Sequence, residues 1–168
     1  MQVLLINPPA EHAEVVSRLH ITVPPLGLAY LAAVLEKEGH QVRILDAAAL
    51  GMTLPRVRRE IEREQPDLVG VTSTTPTIKE ALSIIRVAKE VCPSATTVIG
   101  GPHVTFLPTE TLRECPQLDV VCIGEGERTI VELARALEQG GSLSKVRGIA
   151  FRLDGHIVRT PPQPLIQN

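Results

Sequence analysis

Aromatic side chains are almost absent from this 168-residue chain, which has one tyrosine, two phenylalanines and no tryptophan. So few rings cannot form a stacking platform for single-stranded nucleic acid, and they are too few to sandwich a flavin ring. A charge of one sign is lacking as well, because 17 basic residues against 19 acidic ones leave a formal net charge of −2. No nucleic-acid partner is therefore expected.

Long apolar runs and paired cysteines are also missing. No stretch approaches the length of a membrane span, and the amino terminus lacks the basic region, apolar core and cleavage site of a secretion signal. Cys92, Cys115 and Cys122 include no C-x-x-C pair, and an odd number without a signal indicates a reducing compartment. We therefore predict a cytoplasmic protein with no membrane partner and no cysteine metal site, in which Cys122 is a small core residue.

Short apolar runs alternate along the chain with segments of helical periodicity. The five runs begin near Val3, Gln41, Asp67, Thr96 and Val120, and apolar residues at helical spacing follow each of them. Consecutive β-α units favour right-handed crossovers and a parallel sheet with helices on both faces. The predicted fold class is therefore α/β, a Rossmann-like (flavodoxin-like) doubly wound sheet of five parallel strands.

The pattern changes after Gly140-Gly141. Residues 148–153 and 156–159, joined by Asp154-Gly155, predict a β-hairpin with a tight turn, and the prolines that follow can continue neither a sheet nor a helix. We therefore divide the chain into a domain at 1–140, a hairpin appendage at 141–160 and a proline-rich linker at 161–168. The linker is expected to lead toward a further domain that this chain does not include.

Four of the five runs end in clusters of small, polar or Gly-Pro residues. The clusters are Asn7-Pro8-Pro9, Thr72-Ser73-Thr74-Thr75-Pro76-Thr77, Gly100-Gly101-Pro102-His103 and Gly124-Glu125-Gly126-Glu127. In a parallel sheet all four lie along one edge, which is where open α/β sheets bind ligands. Small residues there allow a flat partner to approach the backbone, and a row of hydroxyls suits a ligand rich in amides or ring nitrogens.

The cluster after the fifth run has part of a dinucleotide-binding fingerprint. Thr129 stands where that motif has its third glycine, and Glu125 and Glu127 would repel a pyrophosphate at a helix N-terminus. A tight turn against a neutral ligand, with Glu127 capping the next helix, is the favoured interpretation. His103, as a lone loop histidine, is either structural, exposed or a direct polar contact.

The second run ends at Asp46, and Gly51 follows at the spacing of D-x-H-x-x-G, the cobalamin signature. In the full motif the histidine replaces the cofactor's own base as the lower ligand of cobalt. Ala48 occupies the histidine position here and cannot coordinate a metal. Either Asp46 only caps the next turn, or cobalamin binds without a protein ligand below the cobalt.

Together these segments resemble the N-terminal cobalamin-binding domain of the class B radical S-adenosylmethionine enzymes, a family that includes methyltransferases and an anaerobic cyclase. The resemblance also includes P-P-L-G-L-A-Y-L-A at 24–32 and extends from about residue 3 to 165. It implies cobalamin at the C-terminal edge of the sheet, with the corrin ring over the strand ends and the nucleotide tail running into the sheet side. The cofactor-binding residues that it implies are Asn7, Pro8, Asp46, Gly51, Thr72, Ser73, Thr74, Thr75, Gly100, Gly101, Pro102, His103, Gly124, Glu125, Gly126 and Glu127.

The C-x-x-x-C-x-x-C motif that holds the 4Fe-4S cluster of that family does not occur in these 168 residues. The cluster and S-adenosylmethionine would therefore belong to a separate radical domain of the parent enzyme. This chain alone is expected to bind cobalamin, without a catalytic or metal-ligating residue of its own. The alternatives are a receiver-like signalling module, which needs acidic residues where Asn7 and the Thr72 cluster stand, and a nucleotide- or flavin-binding oxidoreductase.

Overall fold

The fold is described from a computed structural model, which covers residues 1–9 and 24–165. Seven strands and six helices follow one another in this part of the chain. They are β1 (Gln2–Asn7), α1 (Leu26–Lys37), β2 (Gln41–Asp46), α2 (Leu54–Glu64), β3 (Leu68–Thr72), α3 (Ile78–Val91), β4 (Thr96–Gly100), α4 (Pro102–Phe106), α5 (Pro108–Glu114), β5 (Val120–Cys122), α6 (Glu127–Glu138), β6 (Ile149–Leu153) and β7 (His156–Arg159). Short 3-10 turns lie at Thr75–Thr77 and Leu143–Lys145.

The strands form one sheet in the order β2-β1-β3-β4-β5-β6-β7. β1 to β5 are parallel, whereas β6 runs antiparallel to β5 and β7 antiparallel to β6. The predicted α/β class, with five parallel strands and a C-terminal hairpin, is confirmed. The structure adds that the hairpin continues the sheet, because Val120 pairs with Phe151 and Cys122 with Ile149.

Helices cover both faces of the sheet, as in a doubly wound fold. One apolar core lies under α2, α3, α4 and α5, and it includes Val57, Ile85 and Leu112. The other lies under α1 and α6, and it includes Leu35 and Leu133. The strand order reverses between β1 and β3, because β2 is added on one side of β1 and β3 to β5 on the other. A crevice opens at such a point, at the C-terminal ends of the strands. None of the described helices has the length and apolar character that a membrane crossing requires.

One helix was not predicted. α4 begins at Pro102, directly after β4, so the prediction of His103 as a loop residue is wrong. Gly101 is its N-cap and Pro102 its first residue, a position that suits proline because its backbone lacks the N–H that would stay unpaired there. A five-residue helix is too short to show a helical period in the sequence, which explains why the pattern missed it.

Candidate functional site

A cavity of about 210 Å³ opens at the C-terminal edge of the sheet, on the face covered by α1 and α6. Its inner end is formed by Leu5, Gly70 and Val98, which stand side by side in register on β1, β3 and β4. In a strand, the side chain two residues further along points to the same face of the sheet. Accordingly Thr72 and Gly100 line the cavity nearer its mouth.

Helix residues and a turn complete the wall of this cavity. Leu28 and Leu31 of α1 and Ile130 of α6 supply apolar side chains, and Cys122 adds the end of β5. The mouth is bordered by Gly27, Gly101 and the turn at residues 124–127. The polar side chains therefore lie at the outer level or at the mouth, and the inner end is entirely apolar.

Glycines create the space. A Cβ atom at Gly70 would lie 2.8 Å from Cδ2 of Leu5, and one at Gly100 would lie 3.7 Å from Cβ of Cys122. At Gly27 an added Cβ would meet nothing within 4 Å, so this position faces open space. Glycine inside a strand often marks a place where a ligand or another backbone approaches closely, and Gly70 lies inside β3.

The ends of β3 and β4 are joined tightly at the rim of the cavity. Gly101 has φ +106, and a Cβ atom there would lie 2.4 Å from the Ser73 carbonyl oxygen. The Ser73 amide and its Oγ both donate to the Gly100 carbonyl, at 2.8 and 2.9 Å. The Ser73 hydroxyl therefore holds the two strand ends together, and Ser73 is buried.

The hydroxyls that follow Ser73 are arranged differently. Thr74 and Thr77 form a reciprocal cap at the 3-10 turn, with 3.0 Å between the Thr74 amide nitrogen and Thr77 Oγ1. Thr75 Oγ1 lies 3.2 Å from Nδ1 of His103, so the exposed threonine and the half-buried histidine form a polar pair between β3 and α4. A ligand lying over the rim would contact this pair.

Asp46 and Asn7 close the opposite side of the same edge. Nδ2 of Asn7 donates to Oδ1 of Asp46 at 2.9 Å, and the Ala49 amide donates to the same oxygen at 3.1 Å. Asp46 thus caps the turn that contains Ala48 and ends at Gly51, where φ is +54. This turn is the position of the histidine-bearing loop in the D-x-H-x-x-G motif.

Glu127 lies at the mouth of the cavity. It is the first residue of α6, whose N-cap is Gly126 without a side-chain hydrogen bond, so the predicted capping role of Glu127 is wrong. Its Oε2 is buried and has no hydrogen-bond partner among the residues that the structure describes. A buried oxygen of this kind costs free energy unless a donor reaches it, and a ligand in the mouth could supply that donor.

The three cysteines are buried free thiols. Burial raises the pKa of the Cys122 thiol to about 12, so it is protonated at neutral pH. Cys122 is buried, which confirms the prediction of a core residue. Within residues 1–9 and 24–165 no three His, Cys, Asp or Glu side chains converge to hold a metal ion.

The structure places all sixteen predicted residues at one edge of the sheet but only some of them in the cavity. Those that line it are Thr72, Gly100, Gly101, Gly124, Glu125, Gly126 and Glu127. Those outside it are Asn7, Pro8, Asp46, Gly51, Ser73, Thr74, Thr75, Pro102 and His103. The lining residues that the sequence analysis missed are Leu5, Gly27, Leu28, Leu31, Gly70, Val71, Val98, Cys122 and Ile130. Two signals for them were available: Gly70 within an apolar strand, and the motif at 24–32, which contains Gly27, Leu28 and Leu31.

Comparisons with known proteins identify the family of this chain. The model of the B12 binding domain family matches residues 14–134. An uncharacterized methyltransferase of Pyrococcus horikoshii is 42% identical over 168 residues, which are 100% of this chain and 36% of that protein. The anaerobic magnesium-protoporphyrin IX monomethyl ester cyclase of Rubrivivax gelatinosus is 39% identical over 86% of this chain and 27% of its own length. The chain thus spans about a third of the curated relatives it matches.

The similar solved structures include a cobalamin-bound methyltransferase and also a receiver domain, which is the alternative named in the sequence analysis. The radical S-adenosylmethionine methyltransferase TsrM of Kitasatospora setae, with cobalamin and a 4Fe-4S cluster bound, superposes with a TM-score of 0.80 at 25% identity, over 99% of this chain and 30% of that one. The receiver domain of RcsB from Salmonella enterica superposes with a TM-score of 0.54 at 13% identity, over 85% of this chain and 91% of that one. The second likeness shows a shared fold alone.

Proposed function

The chain belongs to the B12 binding domain family, and we propose that its cavity takes the nucleotide base of cobalamin while the rim supports the corrin ring. The observation that carries this proposal is the size and apolar lining of the cavity. An apolar cavity of roughly 150 Å³ admits benzene, so about 210 Å³ has room for the fused two-ring base of cobalamin. Bound cobalamin supplies a cobalt centre that can carry a methyl group.

Polar groups at the mouth suit the rest of the cofactor. The corrin ring carries amide side chains, and the nucleotide tail carries a ribose hydroxyl, so both offer N–H or O–H donors. The buried Oε2 of Glu127 is an acceptor without a partner among the described residues, and the Thr75–His103 pair offers further polar atoms at the rim. We assign Glu127 to a donor of the cofactor, with Gly101 and Gly124 allowing close approach of the ring.

The site offers no nitrogen ligand from the turn after β2. Ala48 lies between Asp46 and Gly51, where the cobalamin signature has its histidine, and the hydrogen bonds of Asp46 are made to Asn7 and the Ala49 amide. In this proposal that turn would supply no ligand to cobalt, and the cofactor's own base would lie in the cavity.

The catalytic chemistry is assigned to a longer protein. The relatives are about three times longer than this chain, and the C-x-x-x-C-x-x-C motif is absent from it. We propose that residues 1–140 and the hairpin carry cobalamin, and that a radical S-adenosylmethionine domain follows the proline-rich segment. The three buried free thiols fit a reducing, cytoplasmic environment.

The proline-rich segment follows β7 and begins at the C-terminal edge of the parallel strands, where we propose that the cofactor binds. The Gly148 amide donates to the Pro161 carbonyl at 2.8 Å, and the Arg147 guanidinium donates to the Pro162 carbonyl at 3.0 Å. Large exposed apolar side chains also lie near this edge, namely Leu26 and Tyr30 in α1, Leu50 in the turn after β2, Phe106 at the end of α4 and Leu107 after it. Apolar groups concentrated at one edge favour a covering partner, which here would be the following domain together with the corrin. Residues 166–168 of the predicted linker lie outside the described residues.

Titration with hydroxocobalamin tests the proposal. The purified chain should retain cobalt on gel filtration and shift the absorption spectrum of the corrin. Gly27→Phe adds a ring at the border of the mouth, where a Cβ atom meets nothing within 4 Å, and it should weaken binding on the order of tenfold or more. Ala33→Phe is the matched control on the same helix, because Ala33 is exposed and does not line the cavity. No retained cobalt in the wild type, or equal effects of the two variants, would refute the proposal.

A further inference from the structure

The inner end of the cavity offers no polar side chain. Leu5, Gly70 and Val98 form it, and their strands satisfy one another's backbone groups through the ladder between β1, β3 and β4. Leu28 and Ile130 close it from the helices. A base inserted this far is in contact with hydrocarbon only, so any polar atom on its leading edge would lose its hydrogen bonds to water without replacement.

Natural cobamides differ in the leading edge of the base, which is the edge that would enter the cavity first. The base of cobalamin, dimethylbenzimidazole, ends in a benzene ring with two methyl groups and has no hydrogen-bonding atom there. An adenine base instead ends in a pyrimidine ring with ring nitrogens and an amino group. The two bases have similar size, so the polarity of the inner end, and not its volume, decides between them.

Resting on the proposed function, we propose that this cavity selects cobamides by their lower base, accepting dimethylbenzimidazole and rejecting adenine. The selecting residues are Leu5, Gly70 and Val98, and they act by offering no hydrogen bond. Leaving even one buried polar group unpaired weakens binding by on the order of tenfold, and two by more. A cobamide with a p-cresol base, whose leading edge is also apolar, should bind like cobalamin.

The test compares four corrinoids on the 168-residue chain by absorption titration and equilibrium dialysis. Cobalamin and the p-cresol cobamide should bind at least about tenfold more tightly than the adenine cobamide. Cobinamide, which has no nucleotide tail, should also bind more weakly than cobalamin because it leaves the cavity without a base. Equal affinity for cobalamin and the adenine cobamide overturns the selection while leaving the proposed function intact.

A pair of variants locates the selection in the cavity. Val98→Thr keeps the side-chain shape and places a hydroxyl at the inner end of the cavity. It should therefore reduce the ratio of the affinity for cobalamin to the affinity for the adenine cobamide. Val120→Thr is the matched control, because Val120 pairs with Val98 in register but does not line the cavity. It should leave the ratio unchanged.

Three further outcomes would overturn the inference. If both threonine variants change this affinity ratio equally, the selection between the two bases does not arise in the cavity. Cobinamide binding as tightly as cobalamin means that the base does not use the cavity. Failure of every corrinoid to bind refutes the proposed function and the inference with it.

Discussion

Gly101 has the strictest steric requirement at the rim. Its φ of +106 with ψ of 177 belongs to a region that side-chain-bearing residues rarely enter, and an added Cβ would lie 2.4 Å from a backbone oxygen of Ser73. Backbone atoms cannot rotate away as a flexible side chain can. The residue therefore links the ends of β3 and β4 in a way that only glycine permits.

Gly101→Ala should lower the free energy of unfolding by about 3 kcal/mol or more, because conformational strain and a backbone clash add together. Gly140→Ala is the control, since φ there is +61 but an added Cβ meets nothing within 4 Å. It should cost only about 1 kcal/mol. Urea unfolding of both variants measures the difference, and equal losses would show that the contact with Ser73 has no energetic weight.

In the proposed complex, the turn that contains Ala48 would supply no ligand to cobalt. In the proposed complex, cob(II)alamin bound to the wild type should give an electron paramagnetic resonance spectrum without nitrogen splitting. Ala48→His should introduce that splitting, because imidazole supplies the lone pair that alanine lacks. Ala49→His is the neighbouring control.

The same spectra can contradict this assignment. Nitrogen splitting in the wild type would mean that the cofactor's base or a protein side chain ligates cobalt. No splitting in Ala48→His, together with unimpaired binding, would place the turn after β2 away from the metal.

At the scale of elements, the C-terminal hairpin behaves as part of the sheet. β5 has only three residues, and β6 pairs with all of them. Ile149 and Phe151 of β6 are buried in the core under α1 and α6. Arg152 further fastens β6 to the segment before β5, since its guanidinium donates to the carbonyls of Leu112, Cys115 and Leu118.

A chain ending at residue 140 should therefore fail to fold cooperatively, because it exposes one edge of β5 and the apolar surface that β6 covers. A chain ending at residue 165 should unfold like the full one. Circular dichroism during urea unfolding distinguishes the two lengths. A sharp transition of the 140-residue chain with an unchanged midpoint would show that the hairpin is a true appendage.

Element positions were largely predictable from local pattern, and the exceptions have physical reasons. Leu28, Leu31, Ala32 and Leu35 recur at helical spacing, and α1 buries all of them except Leu31, which is half-buried. Gly39 follows the helix with φ +89, as a C-terminal glycine does. α4 was not predicted because it has only five residues, too few to show a helical period. The pairing of β6 with β5 escaped because strand partnership depends on contacts across the fold and leaves no local signature.

At the scale of the whole molecule, three buried thiols make stability depend on pH. Burial raises the pKa of Cys92, Cys115 and Cys122 above the ordinary value of 9.0, for Cys122 to about 12. Above pH 9 the unfolded chain releases thiol protons that the folded protein retains. The thiol contribution to stability is therefore complete below pH 9 and is lost as the pH rises toward 12.

The free energy of unfolding should accordingly fall above pH 9, with a slope of up to about 1.4 kcal/mol per pH unit for each thiol. A variant with alanine at all three cysteines should show a flatter slope, even though its stability at pH 8 is lower from the lost packing. Urea unfolding at several alkaline pH values measures both. Parallel slopes would mean that the thiols are not protected in the folded state.

The sequence by itself determined the class of fold, the edge at which the polar and small residues gather, and the family resemblance. These follow from information that is local along the chain: apolar spacing, glycine and proline at strand ends, and short motifs such as Gly-Gly-Pro-His at 100–103. Parallel strands then bring all such ends to one edge.

Only the tertiary structure decided which of those residues surround a cavity and which hold the scaffold together. The cavity exists because Leu5, Gly70 and Val98 meet from three strands distant in sequence, and because Gly70 has no side chain to fill the space between them. Ser73 and Thr72 are neighbours of similar chemistry, yet Ser73 bonds to Gly100 and Thr72 lines the cavity. Thr72 is the last residue of β3 and Ser73 the first beyond it, so their roles depend on which neighbouring segment each side chain meets.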